Sequence, residues 1–243
     1  SIAAVLAQLG KGRIRTVADY MSTAKDAHLR RFEWSSRLAR QHTVSVRAAL
    51  RGIGPSRQCE EVEPAVFAAS ARSIAGSPGQ PVGFQYTSVI GNFFALREIE
   101  LSTMKRGAVT VNPTEKTVEA SLPVTKVDPY ALGCTRVWGC TCEGVDELMT
   151  ICPYHAAASQ LALLEKTFGK DGKHPDFPFS PTSAGTFMTK PGMIKAVQKV
   201  HTNIPGPEHA DDDKKPWGHV FRISGPRHLC RHGVQVATIL LLA

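Results

Sequence analysis

Apolar positions recur at helical spacing along most of this 243-residue chain, with one clear change of period in the middle. Ile2-Ala3-Ala4-Val5-Leu6-Ala7 reads as the tail of a helix. Val17, Tyr20, Met21 and Ala24 keep a helical period, as do Phe32, Leu38 and the stretch from Val44 to Leu50, so residues 14–52 are predicted helical. Gly52-Ile53-Gly54-Pro55-Ser56 breaks the pattern. Pro64 suits the first turn of a short helix ending at Ser73, and Gly76 to Pro81 reads as a loop. Tyr86, Val89, Ile90, Phe93, Leu96, Ile99 and Leu101 mark a further apolar helical stretch over 83–104. The period then changes. Ala108–Val111 and Thr117–Leu122 are β-like runs, and Asn112-Pro113-Thr114-Glu115-Lys116 between them predicts a hairpin turn. A cysteine-rich segment follows, then a helix from about Pro153 to Phe168. Thr189 can cap a helix with Pro191 in its first turn, running to about His201. Residues 203–218 read as a loop, and two closing helices, about 219–232 and 234–243, part at Gly233.

These elements predict an α+β chain that is mostly α. Residues 1–55 form an all-helical domain, 56–63 a linker, and 64–243 a mixed domain with a small antiparallel hairpin or sheet. The length is ample for a core. No stretch approaches the roughly 20 apolar residues of a membrane span, so no membrane partner is expected. Charge sharpens the division. Residues 1–60 hold eleven Lys/Arg against four Asp/Glu, a net of +7, while the rest of the chain nets only +1. Arg30, Arg31, Arg37, Arg40, Arg47 and Arg51 lie within the predicted helices of the basic end, which suits a segment resting on a polyanion such as double-stranded DNA, with a solvated basic face and an acidic membrane surface as the alternatives.

Chemistry concentrates at a few places. His219-Val220-Phe221-Arg222 puts His and Arg three residues apart, hence on one face of a helix and able to address one phosphate. Arg97 stands in the apolar run Phe93-Phe94-Ala95-Leu96-Arg97-Glu98-Ile99-Glu100-Leu101, where a charge is costly unless used or paired with Glu98 or Glu100. Lys126 follows the second β-run, in Thr125-Lys126-Val127-Asp128, and Lys116 in the hairpin turn is its rival. A second His-x-x-Arg, His228 to Arg231, is expected on an outer or DNA-facing surface. Asp211-Asp212-Asp213 reads as a solvated loop.

The order Arg97, Lys126, His219-x-x-Arg222, with Gly233 and an apolar run after it, resembles the active-site boxes of the tyrosine recombinases, the phage-integrase family. The likeness covers residues 60–243 and extends more weakly to 1–55, matching that family's helical core-binding domain. It implies site-specific DNA recombination or integration through a phosphotyrosyl intermediate. Arg97 and Arg222 would hold the phosphate oxygens, Lys126 would protonate the leaving oxygen, and His219 would assist proton transfer. It also implies a homotetramer on DNA and no cofactor for catalysis. The family's next His or Trp and its tyrosine nucleophile are expected beyond Ala243, since Tyr20, Tyr86, Tyr130 and Tyr154 all precede the His-x-x-Arg box. The chain begins with Ser and stops inside an apolar run, so both ends are expected to be cut and the chain as given to be inactive. The alternative from another class is a non-catalytic DNA-binding remnant of a mobile element.

Four of the six cysteines, Cys134, Cys140, Cys142 and Cys152, crowd into residues 134–152. Cys140, Cys142 and Cys152 together with His155 offer three thiols and an imidazole, a set that can hold a structural zinc ion. Cys140-x-Cys142 is tighter than the usual spacing, and a metal-free role for this segment stays open.

Overall fold

A computed structural model describes residues 2–11, 16–51, 61–122, 133–142, 151–204 and 218–242. Backbone contacts divide the chain into two units, Ser1–Arg57 and Gln58–Ala243.

The first unit is all helix: α1 (Ile2–Lys11), α2 (Val17–Leu29) and α3 (Ser36–Leu50). The helical run expected over 14–52 is therefore interrupted. Ser35 takes an extended backbone conformation (φ −65°, ψ 155°), and its side chain accepts the Leu38 N–H at 3.3 Å, which starts α3 as a new helix. Leu6, Val17 and Met21 form a small core, with Leu9, Val46 and Ala49 against it. All six arginines singled out above are exposed, three of them (Arg37, Arg40 and Arg47) on α3.

The second unit is mostly helical with one small sheet, in agreement with the α+β, mostly α class. It begins with α4 (Pro64–Ser73), α5 (Phe84–Phe93) and α6 (Glu98–Thr103). The strands follow: β1 (Val109–Asn112), β2 (Thr117–Leu122) and β3 (Cys134–Gly139). The closing helices are α7 (Pro153–Phe168), α8 (Lys190–Thr202), α9 (Val220–Arg231) and α10 (Val236–Leu242). Helix α5 is the axis of the core: every residue from Thr87 to Phe93 is buried, and it packs against α4, α7 and α9. Phe67, Phe84 and Phe221, from α4, α5 and α9, meet edge to face with ring centroids 5.7, 5.8 and 6.3 Å apart. Two glycines let α9 approach α5 closely. A Cβ at Gly225 would lie 1.9 Å from the Asn92 carbonyl oxygen, and one at Gly91 would lie 3.0 Å from the Phe221 ring.

Residues 83–104, expected as one helical stretch, form two helices. The Ala95 N–H donates to the Asn92 carbonyl (3.2 Å) and the Leu96 N–H to the Gly91 carbonyl (2.9 Å). This pair of bonds is the Schellman termination, with Ala95 in the left-handed region at φ 49°. Glycine normally takes that position, so alanine there hides the break from a sequence reading. The same motif ends α9, where Gly233 (φ +81°) donates to Cys230 and Val234 to Leu229. That break was legible.

The sheet has the order β1-β2-β3 and is antiparallel throughout, with Val109 opposite Ala120 and Leu122 opposite Cys134. Strand β3 was not anticipated. It lies within the cysteine-rich segment and at the sheet edge, where none of its residues is fully buried, so it lacks a clean apolar alternation. Helix α8 starts as expected, with the Thr189 hydroxyl accepting the Gly192 N–H at 3.1 Å.

Candidate functional site

Arg97 is the residue before α6 (φ −77°, ψ 155°), not a member of an apolar helix. Its backbone N–H donates to one Glu100 carboxylate oxygen at 2.7 Å, and its guanidinium donates to the other at 3.2 Å. The ion pair that the sequence offered as an alternative use of Arg97 is thus formed, with both side chains mostly shielded from solvent. His219 occupies the corresponding place before α9 (φ −118°, ψ 9°) and is exposed, and Arg222 lies half-buried in the first turn. The starts of the two helices meet. The Glu98 N–H donates to the Gly218 carbonyl at 3.4 Å, and Gly218 lies so close to the buried Glu98 carboxylate that a Cβ would come within 2.2 Å of it. The Glu98 carboxylate in turn faces Lys190 Nζ at 3.6 Å, which links the start of α8 to the same place.

This meeting brings charges together. Burial, and then the positive charge of Arg97, pull the Arg222 guanidinium below its ordinary range; Glu100 opposes the shift and Arg136 adds to it. Arg222 stays protonated nonetheless. Arg97, Arg136 and Arg222 therefore share one electrostatic neighbourhood, with Glu100 as a countercharge. Arg136 is the residue that sequence reasoning missed. It stands on β3 opposite Ala120, and its guanidinium donates to the Phe94 carbonyl at 2.5 Å, at the α5 terminus just before Arg97. The only sequence signal was an arginine among the β-formers Thr135, Val137 and Trp138.

Lys126 lies outside the described residues, between the end of β2 and the start of β3 in sequence. Its rival Lys116 is exposed in the β1–β2 turn at φ 50°, its carbonyl accepting the Cys140 N–H at 2.8 Å. Asp211, Asp212 and Asp213 also lie outside the described residues. The second His-x-x-Arg is not an outer surface as a whole: His228 is buried, with its ring Nδ1 3.0 Å from a Glu63 carboxylate oxygen. Arg231 is exposed and pairs with Glu61 at 2.6 Å. Burial pushes the His228 imidazole below its ordinary value, outweighing the attraction of Glu63.

The Cys140, Cys142, Cys152 and His155 side chains are brought together, with one ligand atom from each within 4.8 Å of the others. Cys142 and Cys152 are fully buried. Burial and the neighbouring thiols push Cys140 up to about 11. Burial also raises Cys152, but backbone N–H donors from His155 and Thr141 outweigh it and bring that thiol down to about 6. Cys134 is exposed and outside the cluster.

The chain thus combines an all-helical unit with a mostly helical unit that carries a small antiparallel sheet. The chain is similar in structure to the XerH site-specific recombinase bound to its difH substrate in a pre-cleavage complex. The TM-score is 0.51 at 12% sequence identity, over 93% of this chain and 62% of that one. At such identity the likeness is one of fold, and this chain spans about 62% of that recombinase's length. No family model matches the sequence, and no curated protein does.

Proposed function

We propose that this chain grips the backbone of double-stranded DNA and that its larger unit is the phosphate-activating part of a site-specific recombinase. The observation that carries this reading is the gathering of Arg97, paired with Glu100, and Arg136, bonded to the Phe94 carbonyl, within electrostatic reach of the half-buried Arg222. Like charges held together in a half-buried place cost energy that one carboxylate only partly offsets. An anion between them removes that cost. A phosphodiester is the fitting anion, because planar guanidinium groups donate to its non-bridging oxygens in pairs and stay charged throughout the reaction.

In this reading Arg97 and Arg222 hold the phosphate oxygens where negative charge grows during strand cleavage. His219, exposed at the residue before α9, serves proton transfer, and Lys126 protonates the leaving oxygen. The recombinase-like fold and the sequence order of these residues support the assignment. No tyrosine follows Arg222 in the sequence, so residues 1–243 are expected to bind DNA without forming a phosphotyrosyl bond.

Binding of the protein to a labelled duplex, followed by fluorescence anisotropy across a salt series, tests the reading. Affinity should fall steeply with salt, and Arg222→Ala should weaken binding roughly tenfold, the worth of a charge-assisted phosphate contact. Its salt slope should be shallower by about one. No measurable duplex binding, or an Arg222→Ala chain that binds like the parent, overturns it. A covalent adduct formed on a nicked duplex would overturn the expectation of binding without cleavage.

A further inference from the structure

We propose that Cys140, Cys142, Cys152 and His155 bind a structural zinc ion that fastens the end of β3 to the start of α7. The proposal stands apart from the DNA reading, because it rests on a different set of side chains. Cys140 and Cys142 directly follow β3, while Cys152 is the residue capping α7 and His155 lies in its first turn. The sulfurs of Cys140 and Cys142 are 3.2 Å apart, and those of Cys140 and Cys152 are 3.6 Å apart. His155 Nδ1 lies 3.4 Å from the Cys142 sulfur and 3.8 Å from the Cys140 sulfur. Zinc–sulfur bonds of about 2.3 Å and zinc–nitrogen bonds of about 2.0 Å, arranged as a tetrahedron, place sulfurs roughly 3.8 Å apart and sulfur from nitrogen roughly 3.5 Å apart. The two sulfur–nitrogen separations straddle the expected value, and the two sulfur–sulfur separations lie a little inside theirs.

The chemistry of the donors selects the ion. Three thiolates and an imidazole are soft and borderline ligands, suited to zinc and poorly suited to magnesium or calcium, which take oxygen. All four tetrahedral positions are filled by protein, leaving none open for water, which is the pattern of a structural rather than a catalytic ion. The surroundings complete the site. The Thr141 N–H donates to the Cys152 sulfur at 3.4 Å, and the Tyr154 ring packs edge-on to the His155 imidazole at 4.9 Å between centroids, fixing its plane.

The position gives the ion a consequence. β3 pairs with β2 and forms one end of the strand order, and Arg136 lies four residues before the first ligand. A zinc ion anchoring the strand's end holds Arg136 in place on the Phe94 carbonyl, where its charge acts on Arg222.

Elemental analysis of the protein purified without chelator should give one zinc per chain. Cobalt added to metal-free protein should produce the intense visible bands of a tetrahedral site together with thiolate charge-transfer absorption. Cys134→Ser and Cys230→Ser, which alter exposed cysteines outside the cluster, should keep the zinc, and the double variant Cys140→Ser, Cys152→Ser should lose it. A weak, octahedral cobalt spectrum in the parent chain overturns the proposal without reference to whether any variant folds. So does a full zinc complement in the double variant, or loss of zinc on changing Cys134 or Cys230.

Discussion

Arg136 and Arg222 differ in how they reach the same place. Arg222 arrives on the first turn of a helix, beside His219, and Arg136 arrives from an edge strand and is held there by the Phe94 carbonyl at 2.5 Å. A guanidinium already bonded to a carbonyl keeps its charge but gives up part of its donor fork, so in the DNA reading Arg136 acts on Arg222 through its charge, and the phosphate contacts are assigned to Arg97 and Arg222. His228 shows the opposite use of a titratable group, with burial favouring its neutral form although Glu63 pulls the other way. Its folded-state value lies below the ordinary 6.5. Around and below that pH the unfolded chain therefore binds more protons than the folded one. The stability contributed by neutral His228 is fully present above about pH 6.5 and is lost as the pH falls toward the folded-state value. His228→Gln should flatten this loss: urea midpoints measured at several pH values between about 7.5 and 5.5 should drop less in the variant than in the parent. Equal slopes would show that His228 is not the group responsible.

At the scale of elements, the site depends on how closely α9 lies on α5. Gly225 touches the Asn92 backbone and stands three residues after Arg222, so the same contact that packs the helix also sets where Arg222 points. Gly225→Ala should destabilise the fold by about 2–3 kcal/mol, because the obstacle is a carbonyl oxygen that cannot turn aside. Chemical denaturation checks this, and a change under about 0.5 kcal/mol would contradict the packing described. Elements differ in how plainly the sequence announces them. Pro64, Thr189 with Pro191, and Gly233 are local signals, and α4, α8 and the α9–α10 break occur where those residues place them. Ala95 makes the same backbone turn as Gly233 with no glycine to advertise it. Ser35 starts α3 inside what reads as continuous helical periodicity, and β3 is an edge strand whose pairing with β2 matters more to it than its own pattern.

Across the whole molecule, charge is unevenly shared: residues 1–60 carry a net +7 and residues 61–243 a net +1. The basic unit also has the smaller core, and its helix α3 buries no residue, leaving Arg37, Arg40 and Arg47 exposed. In the DNA reading these arginines meet the duplex backbone independently of the Arg97–Arg222 site. A triple change of Arg37, Arg40 and Arg47 to Ala should weaken duplex binding and lower the salt slope by about two to three, each phosphate contact contributing about 0.9. An unchanged slope in the same anisotropy measurement would mark α3 as a solvated basic face.

The sequence alone determined what depends on neighbours along the chain. That includes the helical periods, the signals at Pro64, Thr189 and Gly233 that begin or end three of the helices, the β1–β2 hairpin, and the mostly α character of the fold. It also placed three cysteines and a histidine close enough in sequence to suggest a common ligand. Only the tertiary structure decided what depends on distant segments meeting. Arg97 and Arg222 are 125 positions apart. They come together because Glu98 and Gly218 bond across two helix starts and because two glycines let α9 lie against α5. Arg136 joins them through the pairing of β3 with β2, a long-range contact that no local pattern encodes.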